Sequence, residues 1–292
     1  MNKPNVKDAY RHCLAISRSH YENFPVASYL IPAALRGPIA VIYAFSRTAD
    51  DFADEGDLDP ATRLTKLDEY VTQLDRIKAG DTSDDPVFIG ITAICQQYHL
   101  PLQLFYDLLT AFRMDVTKNR YANFSELLHY SRYSANPVGR LMLHLFDAAT
   151  EINLQRSDAI CSALQLINFW QDVIQDFDEN NRIYLPQDDM KNLGIDESWL
   201  KERRSDDAMR NLFKLLITKT SELMTAGAPL AWTLKGRFGL ELRLTVLGGS
   251  RILQHLSQQR KNVFSRPRLS KQDKLWMLWH GLTSRQYRQA LG

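Results

Sequence analysis

Apolar residues along the chain recur at intervals of three and four. Ile39, Ile42, Phe45, Ala49 and Phe52 form one such series, and Leu104, Leu108 and Phe112 form another. That spacing lines one side of a helix, whereas a half-buried strand needs strict alternation bounded by Gly or Asn-Gly turns, which is nearly absent. Helix-breaking stretches fall at 55–60 (EGDLDP), 79–86 (AGDTSDDP), around Pro101, at 178–182 (DENNR) and at 265–268 (SRPR). None is long or rich enough in Ser and Gly to serve as an interdomain linker, and no segment repeats at a fixed period. The pattern predicts a single all-α domain over residues 1–292, built of eight to twelve helices.

The polar positions that interrupt this pattern are acidic. Asp50 and Asp54 are four apart and share a helix face, with Asp51 about 100° round and Arg47 one turn earlier. A like-charge pair at that spacing costs a helix roughly 0.2–0.5 kcal/mol. Alone, such a turn reads as a solvated helix end. A second series changes that reading. In LQLINFWQDVIQDFDENN, Gln165, Asn168, Asp172 and Asp176 fall within about 80° of one another on a helical wheel. Leu166, Ile167, Phe169, Trp170, Val173, Ile174 and Phe177 fill the adjoining arc. The acids therefore border the apolar face, where a charge is costly unless it is paired or bound to metal.

The totals narrow the chemistry. Of 292 residues, 45% are hydrophobic and 24% charged, enough apolar material for a sizeable core. The formal net charge of +2 gives no electrostatic case for nucleic acid as a partner. Cys13, Cys95 and Cys161 are odd in number and widely spaced, which argues against disulfides or zinc and for a reducing, cytoplasmic setting. The first residues lack the apolar stretch of a secretory signal, and no apolar run approaches the length of a membrane span. None of the seven histidines forms HxxxH or HExxH. Asp115 reads as an ordinary solvated helix acid, and Gln171 and Arg140 as surface residues. The stretch KLWMLWHGL (274–282) reads first as a packed terminal helix, with peripheral contact at the inner membrane surface as the second reading.

Two stripes of carboxylate and amide oxygens, without His or Cys, suit Mg²⁺, which keeps several waters and is completed by substrate phosphates. The residues thus point to a Mg²⁺–diphosphate site at the mouth of an apolar helical cavity. There, departure of diphosphate would leave a carbocation sheltered by Trp and Tyr rings.

YAFSRTADDFAD, followed by QLINFWQDVIQDFDENNRIYLP, resembles the squalene/phytoene synthase family over about residues 10–270. The resemblance implies the isoprenoid synthase helical fold with a central active-site cavity. It also implies a Mg²⁺-dependent reaction of prenyl diphosphates. Carried onto this chain, it implies Asp50, Asp51, Asp54, Asn168, Asp172 and Asp176 as the metal-binding set. Arg47 and Arg266 would contact the diphosphate. Tyr43 would line the site, Tyr130 in YSRYSANPVG would lie near the reacting carbons, and Gln165 would belong to the same stripe. No G-x-G-x-x-G follows a strand, and no NADPH is expected.

The departures are specific as well. Gln171 stands where the family usually has arginine, YENF (21–24) replaces a Ser-x-Ser/Thr-Phe pattern, and Gly249 stands where many members carry tyrosine. With SHYENFPVAS, SANPVGR and NFWQDV they resemble one bacterial branch that acts in hopanoid biosynthesis. Members of that branch ionise presqualene diphosphate, made by a sister presqualene diphosphate synthase, and let water capture the cation. A flavin-dependent enzyme then reduces the alcohol. The alternatives are a condensing synthase acting on farnesyl diphosphate, and an inert helical carrier of lipid intermediates, which the filled metal positions argue against.

Overall fold

A computed structural model describes residues 5–19, 31–54 and 56–287. The YENF stretch and Glu55 lie outside the described residues. The described chain is helical, as the spacing predicts, and its one strand-like feature is an isolated bridge between Arg120 and Ile183. Fourteen helices are present among the described residues, more than the eight to twelve expected. The excess comes from segments of four to six residues, α9 (Gln187–Asn192), α10 (Ser198–Lys201) and α12 (Pro229–Thr233). These are too short to show a helical period.

The residues fold as two compact units, one running through Thr117 with Tyr133–Thr150 added, the other comprising Lys118–Arg132 and the chain from Glu151 on. The first unit holds α1 (Val6–Ser19), α2 (Ala33–Asp54), α3 (Pro60–Ala79), α4 (Pro86–Tyr98), α5 (Gln103–Thr117) and α7 (Asn136–Leu145). Helix α2 packs against α1, α3, α4 and α5. The predicted series supplies its buried side, with Ile39, Ile42, Phe45 and Ala49 fully enclosed. Burying side chains of this size contributes about 1.5–3 kcal/mol each. Phe45 meets the rings of Phe88 and Phe105 edge-on, at 6.0 and 5.2 Å. The breakers act as caps. Asp59 accepts from the Ala61 and Thr62 N–H groups ahead of Pro60, and Asp85 accepts from Val87 N–H ahead of Pro86.

The second unit holds most of α6 (Phe124–Ser134), then α8 (Glu151–Asn180), α11 (Asp207–Gly227), α13 (Gly236–Ser257), α14 (Lys271–Thr283) and the three short helices. Its axis is α8 packed along α11. Buried Trp170 donates its indole N–H to Thr220 Oγ1 at 2.9 Å. Where α13 joins them, a Cβ at Gly249 would come within 2.8 Å of Met224 Cε and 3.0 Å of Leu164 Cδ2. A side chain at this position would have to displace the ends of Met224 and Leu164.

Candidate active site

In the first unit the acidic turn is the C-terminal end of α2. Ala44, Phe45, Ala49 and Ala53 fix the helix register by burial, which places Tyr43, Arg47, Asp50, Asp51 and Asp54. Tyr43 is half-buried and packs against the core cluster. Arg47 Nη2 lies 2.7 Å from Asp51 Oδ1, and Nη1 lies 3.8 Å from Asp50 Oδ2. The guanidinium side chain is 20% exposed against 44% for Asp50, so the cation sits beneath the acids and offsets their mutual repulsion. Asp54, at the helix end, is exposed.

In the second unit α8 carries Gln165, Asn168, Asp172 and Asp176 along one side. Leu166, Ile167, Phe169, Trp170 and Val173 are buried as the pattern predicts. Ile174 and Phe177 are only half-buried, and Asn168 is exposed. Asp172 is gripped by both ends of a guanidinium, with Arg266 Nε 2.7 Å from Oδ1 and Nη2 3.1 Å from Oδ2. Gln171 is not a bare surface residue. Its Nε2 donates to the Pro267 carbonyl at 2.8 Å, which ties the loop carrying Arg266 to α8.

Burial raises the Asp172 carboxyl above the usual carboxylate range although Arg266 draws it back. Asp176 is pushed up to about 7, by burial first and then by Asp172 and Glu179, with Arg182 and Arg266 acting the other way. Among the described residues no three His, Cys, Asp or Glu side chains form a ready cluster for a metal. The donor types nevertheless fit Mg²⁺. They are oxygens only, and a divalent cation beside Asp176 would favour the charge that its surroundings disfavour.

Aromatic residues gather beside this stripe in the same unit. Tyr130 sits 6.0 Å from Phe169, whose ring stacks on Tyr184 with centroids 3.6 Å apart. Tyr121 stacks on Tyr184 at 5.4 Å and meets Tyr130 edge-on. All four rings are buried. Tyr130 was singled out in the sequence, whereas Tyr121, Tyr184 and Arg182 were not, although RIYLP contains Tyr184. A pair of backbone bonds, Ile183 N–H to Asn119 and Gln187 N–H to Tyr121, brings these segments together. In the first unit Asp115 is buried, contrary to the solvated reading. A cavity of about 300 Å³ lies elsewhere in the second unit, between α11 and α13, and none of the candidate residues lines it.

No described helix is long and apolar enough to cross a membrane. The squalene/phytoene synthase family model matches residues 17–273. The hydroxysqualene synthase of Rhodopseudomonas palustris is 39% identical over 80% of this chain and 79% of its own. The crystal structure of the squalene synthase HpnC from Alicyclobacillus acidocaldarius superimposes with a TM-score of 0.82 at 34% identity, covering 90% of this chain and 97% of that one. A dehydrosqualene synthase shares the fold, with a TM-score of 0.77 at 22% identity over 94% of this chain and 96% of its own. The acidic stripes, the arginines paired with them and these likenesses agree: the chain is an enzyme of the squalene/phytoene synthase family.

Proposed function

We propose that the enzyme ionises presqualene diphosphate and lets water capture the cation, releasing hydroxysqualene and diphosphate. The observation that carries this reading is the pairing of arginine with carboxylate in each acidic stripe, Arg47 with Asp51 and Arg266 with Asp172. A diphosphate bound with Mg²⁺ needs both signs of charge side by side. Resemblance to hydroxysqualene synthases, 39% identical in the first case, supports the choice of reaction within the family.

In this reading Asp50, Asp51 and Asp54 hold Mg²⁺ in the first unit, and Asn168, Asp172 and Asp176 in the second. Bound Mg²⁺ supplies charge that stabilises the departing diphosphate. Arg47 and Arg266, each paired with a carboxylate, would offer positive charge to the phosphate oxygens. The substrate C–O bond breaks with its electron pair leaving on diphosphate, and the cyclopropylcarbinyl cation rearranges with cleavage of a ring C–C bond. A C–O bond then forms between water and the rearranged cation, and the proton passes to the liberated diphosphate. Rings such as Tyr130 face the cation and exclude stray water. Tyr43 and Gln165 contact the substrate from their own helices.

No nicotinamide enters this chemistry. The same reading puts the enzyme in the cytoplasm, between a presqualene diphosphate synthase and a flavin-dependent reductase of the alcohol. The thiols of Cys13, Cys95 and Cys161 accord with that compartment. The test is incubation of the purified protein with presqualene diphosphate and Mg²⁺, with and without NADPH. Hydroxysqualene is expected in both arms. Presqualene diphosphate or dehydrosqualene formed from farnesyl diphosphate alone would overturn the assignment in favour of a condensing synthase.

A further inference from the structure

Exposed large apolar side chains are scattered singly over most of the described surface, as at Val6, Leu58, Ile152 and Leu215. Helix α14 is different. Leu275, Leu278, Trp279 and Leu282 are 69%, 47%, 67% and 61% exposed. They stand at i, i+3, i+4 and i+7, a continuous outward stripe about 10 Å long. The helix is not loosely attached. Asp273 on its inner side bonds Arg251 and His255 of α13, and the Gly281 carbonyl accepts from Arg243 Nη1 at 3.0 Å. Trp276 packs under the Arg251 guanidinium. The outward face is therefore a fixed platform.

The exposed charges of its own segment have one sign. Lys271 and Lys274 are exposed one turn before Leu275 and Leu278, with exposed Arg268 and Arg285 at either end. Between residues 259 and 287 the only acid is Asp273, which is buried. Four side chains on one helix fall short of the ~800 Å² per partner that a stable protein interface takes. An apolar stripe with Trp, flanked by exposed lysines in a segment whose one acid is buried, matches a bilayer surface bearing negative headgroups.

We infer that the outward face of α14 docks on a bilayer containing anionic lipid, with Leu275, Leu278, Trp279 and Leu282 entering the headgroup region and Lys271 and Lys274 beside them. This holds whichever prenyl diphosphate the enzyme uses. Arg266 lies five residues before the helix, so docking brings the loop between α13 and α14 that carries it close to the membrane, where a lipid-like substrate and product would reside.

The experiment is flotation of the full chain with vesicles of equal phosphatidylglycerol and phosphatidylcholine, and with phosphatidylcholine alone. The wild type should float with the first and not the second, and less so at high salt. Leu278→Ser combined with Trp279→Ser should weaken binding at least about tenfold, and each of Lys271→Gln and Lys274→Gln about fivefold. All variants should keep the wild-type melting temperature and activity on dispersed substrate. Absence of wild-type flotation on anionic vesicles overturns the inference, as does unchanged flotation of the Leu278/Trp279 variant. A concentration-dependent dimer that this variant abolishes, without lipid binding, overturns it too and assigns the face to a second copy.

Discussion

Asp176 and Asp273 lie in the same unit and face the same difficulty, a carboxylate withdrawn from water. Asp273 is 1% exposed, yet it accepts from Arg251 Nε at 2.8 Å, from Ser270 N–H at 2.9 Å and from the Ser270 hydroxyl at 2.8 Å, with His255 at 3.0 Å. Burial pushes its carboxyl up, but these bonds overrule burial and hold it well below the usual carboxylate range. Asp176 is less enclosed and goes the other way, to about 7, because burial acts together with Asp172 and Glu179. An acid whose charge the fold satisfies fastens α13 to α14. An acid whose charge the fold disfavours suits the role proposed for Asp176, which is to hold a cation that comes with substrate.

Substitution should separate the two most widely in activity. Asp172→Asn and Asp176→Asn, like Asp50→Asn in the first unit, should each lower turnover by roughly 10²–10³-fold, the size of loss when one charge-stabilising contact is removed. Thermal unfolding at about pH 5, where Asp176 is largely protonated in the folded state, should move by only a few degrees. Asp273→Asn should do the reverse. Leaving Arg251 and His255 without their buried partner costs about 3 kcal/mol, while turnover at a permissive temperature stays near wild type. Calorimetry and steady-state rates on the same preparations decide the matter. A folded but inactive Asp273→Asn protein would erase the distinction.

The same pair should bend the pH dependence of stability in opposite directions in chelator-treated protein. Asp176 has a folded pKa near 7 against an unfolded value of about 3.9. Between those values the folded state binds more protons, so its contribution to stability falls as pH rises from about 4 to about 7. Asp273 has a depressed folded pKa, so its stabilisation is complete above about pH 4 and is lost as pH falls further. Melting temperatures measured across pH 2–8, a range of about six units, should show Asp176→Asn removing the first slope and Asp273→Asn the second. Identical profiles for the two variants would contradict both assignments.

How much of this was legible in the sequence follows from how local each interaction is. Asp59-Pro60 and Asp85-Pro86 announce helices because cap and first turn are neighbours in the chain. The Arg47–Asp51 pair is readable for the same reason, being one turn apart on α2. The position of Arg266 followed from family resemblance, but its grip on Asp172 joins residues 94 apart and no period reports it. Tyr121 and Tyr184 meet through two backbone bonds between distant segments, which leave no trace in hydrophobic spacing. Asp115 and Asp273 each look like a lone helix acid in sequence, and only packing buries them. The α14 stripe was visible as Trp and Leu at helical spacing, but which side faces outward was decided by Asp273, Trp276 and Gly281 turning inward.

The smallest effect tests whether the stripe on α8 is supported from behind, as Asp273 is supported by Ser270. Gln171 stands where the family usually has an arginine, and its side-chain amide donates to the carbonyl of Pro267, next to Arg266. Under the proposed function it would act on the diphosphate through that loop. Gln171→Ala removes one hydrogen bond worth about 1 kcal/mol, which corresponds to roughly a fivefold rise in KM with kcat little changed. A structural role alone would show in the melting temperature, which should stay within a degree of wild type. A double-mutant cycle with Arg266→Ala settles the route. If Gln171 works by holding Arg266, its effect disappears once Arg266 is gone, whereas additive losses would mean that the two residues act independently.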